Sequence, residues 1–116
     1  MAEHQNIERD RLIVLDSSEE TAGESFRFEY LARTVTDAPP NHVHDAQEER
    51  VEVLAGSLSI RINDHERVLG PGERLTFPPG VPHAVWNADP SGSRTVGEFR
   101  PALDTEALFK AAFADT

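Results

Sequence analysis

Short stretches of alternating apolar and polar residues, each stopped by a glycine, proline or Asn-Asp turn, recur along this 116-residue chain. No other feature constrains its fold as strongly, because successive side chains of an extended strand point to opposite faces. Residues 11–15, RLIVL, read as a first strand, and a polar loop follows over 16–25. Phe26, Phe28 and Tyr30 then share one face, with Arg27 and Glu29 on the other. Beyond Pro39-Pro40, Glu49, Val51 and Val53 point one way, and Glu48, Arg50 and Glu52 point the other. Leu58, Ile60 and Ile62 repeat the arrangement against Ser59 and Arg61. Asn63-Asp64 suits a hairpin turn into 66–69, and further strands are predicted around Leu75 and Phe77, over 81–86 and over 94–100. Many short strands with close turns build an all-β sandwich or barrel.

One helix is predicted over 104–114, with Asp104 as its cap and Glu106 suited to its positive N-terminus. Leu108, Phe109, Ala112 and Phe113 form its apolar stripe. The stripe is too small for a domain, so it is expected to pack on the outside of the barrel or on a second copy of the chain. The whole chain thus reads as one domain over 1–116: a polar arm (1–10), a barrel (11–101) and the helix (104–114).

Composition removes several functions. The chain has no cysteine, so disulfides and thiolate metal sites are excluded, and any metal must take nitrogen and oxygen ligands. A net charge of −10 repels phosphate backbones and anionic membranes, so neither nucleic acid nor a membrane is expected as partner. The polar start, MAEHQNIERD, lacks the apolar core of a signal peptide, which leaves the cytoplasm as the expected compartment.

The residues that carry chemistry are three histidines and one acid. His42 and His44 sit two apart, which in extended backbone puts both imidazoles on one face. Glu49 shares its parity with Val51 and Val53, the face expected inside. A carboxylate aimed into an apolar interior is costly unless its charge is compensated, and a divalent cation compensates it well. His83 follows the turn PPGVPH and joins the others only if the fold brings distant strands together. Neutral imidazoles and a carboxylate suit Fe, Mn, Ni, Zn or Cu. Gln47, of the same parity as Glu49, is a candidate extra ligand.

These residues resemble the cupin superfamily, in its small single-domain form. The first cupin motif runs from a glycine through His-x-His and Glu to a second glycine. His42, His44, Glu49 and Gly56 fit its spacing, while Thr36 stands where the opening glycine would be. The second motif, Gly-x5-Pro-x-Gly-x2-His-x3-Asn, is matched at every position by Gly72, Pro78, Gly80, His83 and Asn87. The resemblance implies a double-stranded β-helix, or jelly-roll, barrel with a metal on His42, His44, Glu49 and His83. It also implies a homodimer. Asn87 is expected to be structural.

Phe28, Tyr30, Phe77, Trp86 and Phe99 either line a pocket above the metal or form ordinary core, with Tyr30 the leading pocket candidate because a buried hydroxyl needs a partner. Arg50 and Arg61 are expected to face outward. Two functions fit these residues. The first is a metal-dependent enzyme on a small organic substrate, a dioxygenase or an isomerase, with Glu49 doubling as base. The second is a non-catalytic module that binds a small molecule or metal. Metal content after purification without chelator separates them.

Overall fold

A computed structural model describes residues 10–113 together with the backbone of 2–5. Its strands are β1 (Ala2–Gln5), β2 (Arg11–Asp16), β3 (Phe26–Ala32), β4 (Glu48–Gly56), β5 (Leu58–Ile62), β6 (His65–Leu69), β7 (Arg74–Phe77), β8 (His83–Trp86) and β9 (Ser93–Arg100), followed by the helix α1 (Thr105–Ala112). The strands form two antiparallel sheets, one in the order β1-β2-β3-β9-β4-β7 and the other β6-β5-β8. The all-β architecture expected from the alternation is the one present. No helix among the described residues is long and apolar enough to cross a membrane.

The predicted periodicity decides which side chains go inside. Val51, Val53, Leu58, Ile60, Leu69 and Phe77 make one buried cluster. Phe26, Phe28, Phe99 and Phe113 belong to a second, with Leu12 and Val14. Full burial of such a side chain contributes about 2–3 kcal/mol, so these clusters supply the main stabilisation of the barrel. The Asn63-Asp64 hairpin is present, with Asn63 in the left-handed region at φ 53° and β5 paired to β6.

Three expectations about the chain's second half need correction. The helix does not lie on the barrel's outside. Phe109 packs its ring against Phe26, Phe28 and Phe99, at centroid distances of 5.8, 4.9 and 5.6 Å. Phe113 meets Tyr30 at 5.8 Å. Leu108, a member of the predicted stripe, is instead 61% exposed. Asp104 makes no side-chain cap bond, because its backbone (φ −98°, ψ 11°) lacks the extended conformation that aims a cap oxygen at the first turn. Glu106 anchors the helix to the first loop: its carboxylate accepts from Ser18 N at 2.6 Å and pairs with Lys110 at 2.7 Å.

Arg50 lies outward as expected, paired with Glu48. Arg61 does not, for the loop before His42 folds over it. Its guanidinium donates to Asn41 Oδ1 and to the carbonyl of Pro39, and it stacks over Trp86 at 5.6 Å. Of the predicted arm, residues 2–5 form an edge strand on β2. Residues 1 and 6–9 of that arm, and residue 114 of the predicted helix, lie outside the described residues.

Candidate metal centre

Glu49 occupies a cross-strand row whose other members are aromatic: Phe26 on β3, Phe99 on β9 and Phe77 on β7. Parity therefore carries its carboxylate inward, where it is 8% exposed. His83 begins β8 in the opposite sheet, is 1% exposed, and stacks on the Phe77 ring at 4.2 Å and 12°. His42 reaches the site through the backbone. It forms an isolated antiparallel bridge with His83, with reciprocal N–H to carbonyl bonds of 2.8 and 2.9 Å. His44 is fixed by its own carbonyl, which accepts from Gly80 N at 2.9 Å in the proline turn. The site thus straddles the two sheets.

The rings converge. Centroids lie 4.8 Å apart for His42 and His44, 4.5 Å for His42 and His83, and 5.5 Å for His44 and His83. One potential ligand atom from each of the three histidines and from Glu49 lies within 4.8 Å of the others. His42 is exposed at the mouth, His44 half-buried, and the other two buried.

Hydrogen bonding favours a cation here. The Nδ1–H of His83 donates to the Val81 carbonyl at 2.9 Å. Its Nε2 then faces Glu49 Oε1 at 2.9 Å. In a neutral ring that arrangement opposes a lone pair to a carboxylate oxygen, so a proton or a metal ion belongs between them. Burial pushes His83 down, but the Glu49 hydrogen bond, the Val81 carbonyl and the Glu49 charge together carry it above its ordinary value. Burial and the neighbouring His83 push His42 below the ordinary histidine value, with His44 adding to the effect and Glu49 opposing it. His44 Nε2 is buried and has no hydrogen-bond partner; it lies 3.7 Å from Glu49 Oε1. An unpaired buried polar atom costs about 1–3 kcal/mol, which a coordinated ion would remove. Ligands at right angles on bonds of about 2.1 Å stand roughly 3 Å apart, close to the His83–Glu49 spacing of 2.9 Å. The donor set therefore fits a divalent metal.

The predicted pocket residues divide. A cavity of about 610 Å³ is lined by His42, His44 and Glu49 at one end and by Phe28, Tyr30, Trp86 and Phe99 along its walls. Phe77 is not among its lining residues; it is fully buried behind His83. The Tyr30 hydroxyl donates to Asp10 Oδ2 at 3.0 Å. Asp10, read from sequence as part of the arm, is buried, and its other oxygen accepts from Arg33 N and Thr34 N at 2.7 and 3.2 Å. An isolated aspartate before a strand carries no signal of that role. Asn87 holds its turn as expected, donating to the carbonyls of Thr34 and Asp89.

Gln47 is corrected. Its amide lies at the cavity wall but is committed elsewhere. Nε2 lies 2.9 Å from Pro101 O, 3.1 Å from Ala102 O and 2.7 Å from Thr105 Oγ1. It clamps the start of α1, whose residues Leu103, Thr105, Leu108 and Phe109 roof the cavity.

Among known proteins, the model of the family described as "Cupin domain" matches residues 34–95. A curated oxidoreductase from Arthrobotrys oligospora is 41% identical over 49 residues; the match takes in 41% of this chain but only 19% of that protein's length. A solved structure from Thermus thermophilus is 25% identical with a TM-score of 0.69, covering 84% of this chain and 88% of that one. The DMSP lyase from Ruegeria pomeroyi is 26% identical with a TM-score of 0.58, over 71% of this chain and 41% of the lyase.

Proposed function

The chain belongs to the cupin domain family, and on that premise we propose that it is a metal-dependent, dioxygenase-like enzyme acting on a small organic molecule. The observation that carries the proposal is the convergence of three imidazoles and one carboxylate beside a largely apolar cavity. The similarity to a curated oxidoreductase over part of the chain supports a redox reaction. An isomerase or lyase on the same frame would share the first proton transfer and differ only in the later steps.

In this reading His42, His44, Glu49 and His83 hold the ion. A bound divalent metal supplies Lewis acidity to a substrate oxygen, and Fe, Mn, Ni or Cu also gives access to oxygen. The Val81 carbonyl fixes the His83 tautomer, so that Nε2 presents its lone pair to the site. With the ion on Glu49 Oε1, the other carboxylate oxygen of Glu49 would be the one to accept an acidic proton of the substrate. The aromatic walls exclude water, which strengthens each charge interaction at the site. A homodimer belongs to the same reading, because the exposed β6 is a sheet edge that a partner would cover. A cytoplasmic location suits a chain without cysteine.

Metal analysis of protein purified without chelator tests the proposal. Near-stoichiometric Fe, Mn, Ni or Cu is expected. His83→Ala should reduce metal affinity at least about 100-fold while the far-ultraviolet dichroism stays that of a β protein. Unchanged affinity in that variant would refute the ligand set. A protein that takes up none of these metals would be the non-catalytic module.

A further inference from the structure

The cavity's charge is one-sided. Among the described residues that line it, Asp10, Asp45, Glu49 and Asp104 are acidic, and none is lysine or arginine. Six of the chain's ten arginines are engaged in ion pairs and none of them lines it: Arg27 with Asp16, Arg50 with Glu48, Arg61 with Glu66, Arg67 with Glu73, Arg94 with Glu29 and Arg100 with Glu98. Arg61, which stacks over the Trp86 ring, is further committed to Asn41 and to the Pro39 carbonyl. Among the described lining residues, only the metal end therefore offers positive charge to an anionic group on a ligand. A second anionic group would enter an apolar space without a cation and near carboxylates, at a large desolvation cost.

The cavity is also long. Ser93, Thr95, Gly97 and Phe99, alternate residues of β9, all line it. Phe99 stands beside Glu49 in the sheet register. At roughly 3.3 Å per residue, the six steps from Phe99 to Ser93 cover about 20 Å from the metal end. The middle of this slot is walled by Phe28, Val51, Leu58, Val85 and Trp86. Gly97 leaves room there for the Phe28 ring: a Cβ on Gly97 would lie 2.4 Å from Phe28 Cζ.

We propose that the ligand is an elongated oxygen chelator with an apolar body and no second anionic group, chelating at the His42–His83 end and lying along β9. This rests on the metal reading above and specifies its substrate class. A two-carbon or three-carbon diacid, or any phosphorylated substrate, is the wrong class for this cavity.

Trp86 is the single tryptophan and is among the residues at the cavity, so binding is followed by its fluorescence and, independently of that ring, by titration calorimetry. The full chain is loaded with zinc, its zinc content is measured, and three probes are titrated: acetohydroxamate, biphenyl-4-carbohydroxamate, and the latter with a 4′-carboxylate. The biphenyl probe should bind at least about tenfold tighter than acetohydroxamate, a modest fraction of what burying two rings can yield. The added carboxylate should weaken it at least about tenfold. Zinc uptake with all three probes bound within about threefold of one another would overturn this inference and leave the metal reading standing. A carboxylate-bearing probe that bound the tightest would also overturn it. Failure to take up zinc, iron, manganese, nickel or copper would overturn both.

Discussion

Replacing Gln47 with glutamate separates two roles that the sequence alone leaves equivalent. If Gln47 were a ligand, a carboxylate would add charge and hold a divalent cation more tightly. The structure predicts the opposite. Gln47 is 3% exposed, and its Nε2 lies 2.9 and 3.1 Å from two carbonyl oxygens. In Gln47→Glu an acceptor replaces that donor. Oxygen then faces oxygen at those distances, and a charge is buried with no cation beside it. Loss of the two net hydrogen bonds costs about 1 kcal/mol each, and leaving Pro101 O without this donor adds about 1–3 kcal/mol. Ala102 O is less affected, because Thr105 N also donates to it at 3.2 Å. The sum is about 3–5 kcal/mol, with Gln47→Ala toward the lower end because it introduces no charge. For a domain of this size about 4 °C of Tm accompanies each kcal/mol. Gln47→Glu should therefore melt roughly 12–20 °C below the parent by calorimetry, and saturating zinc should not restore the difference. Zinc affinity by chelator competition should not rise. A Tm within about 2 °C of the parent, together with zinc bound at least about tenfold more tightly, would refute the clamp.

Three further outcomes rest on the same structure. Gly56→Ala should destabilise far more than Gly72→Ala, although both glycines have positive φ (74° and 87°). A Cβ at Gly56 would lie 2.2 Å from Gly92 O, whereas at Gly72 nothing stands within 4 Å; denaturant titration should give about 1–2 kcal/mol at Gly72 for backbone strain and at least about 2 kcal/mol more at Gly56. Burial pushes Glu106 up, but its bonds to Lys110 and Ser18 outweigh that and hold it below its ordinary 4.5; the folded state therefore binds this proton more weakly than the unfolded chain, and its contribution is present above pH 4.5 and lost as pH falls below it. Glu106→Gln should cost about 1–2 kcal/mol at neutral pH and flatten the acid limb of a stability-versus-pH curve. Phe109→Ala should cost about 3–4 kcal/mol and shift Trp86 emission to the red, as water enters a cavity that the Phe109 ring helps to roof.

The inward side chains of the central strands were legible because a period of two leaves only two choices, and Val51, Val53, Phe26 and Phe28 made one of them plain. The parity of Glu49 is correct for the same reason. The parity of Gln47 misled, because β4 starts at Glu48. One residue earlier the backbone is no longer a strand, and alternation says nothing about where the side chain goes. Arg61 sits on a genuine strand and parity did place it opposite Ile60. What the local pattern lacks is residues 39–41 folding across it, an event set by chain closure rather than by β5. The helix stripe held at Phe109 and Phe113, which pack into the core, and failed at Leu108 and Ala112, which are exposed. An eight-residue element buries only what its neighbours reach, here Thr105 and Glu106, with Phe109 and the C-cap residue Phe113 packed against the core, and its own sequence cannot say which neighbour that is.

Thr36, the one departure from the family motif, shows why the ligand pair survives a changed entry turn. A glycine there would serve the bend of the incoming chain. In this chain Thr36 N donates to Asn87 O at 3.0 Å, which ties the segment before His42 to the segment after β8. Four residues beyond His83, Asn87 then marks the second point at which the same two stretches meet. The first is the His42–His83 bridge, with its two backbone bonds. Two anchor points on a short stretch fix the approach of His42 to His83 whatever conformation residues 37–40 adopt between them. The spacing of the two imidazoles is thus set by backbone hydrogen bonding, leaving the Thr36 side chain to line the cavity where a glycine would have left space.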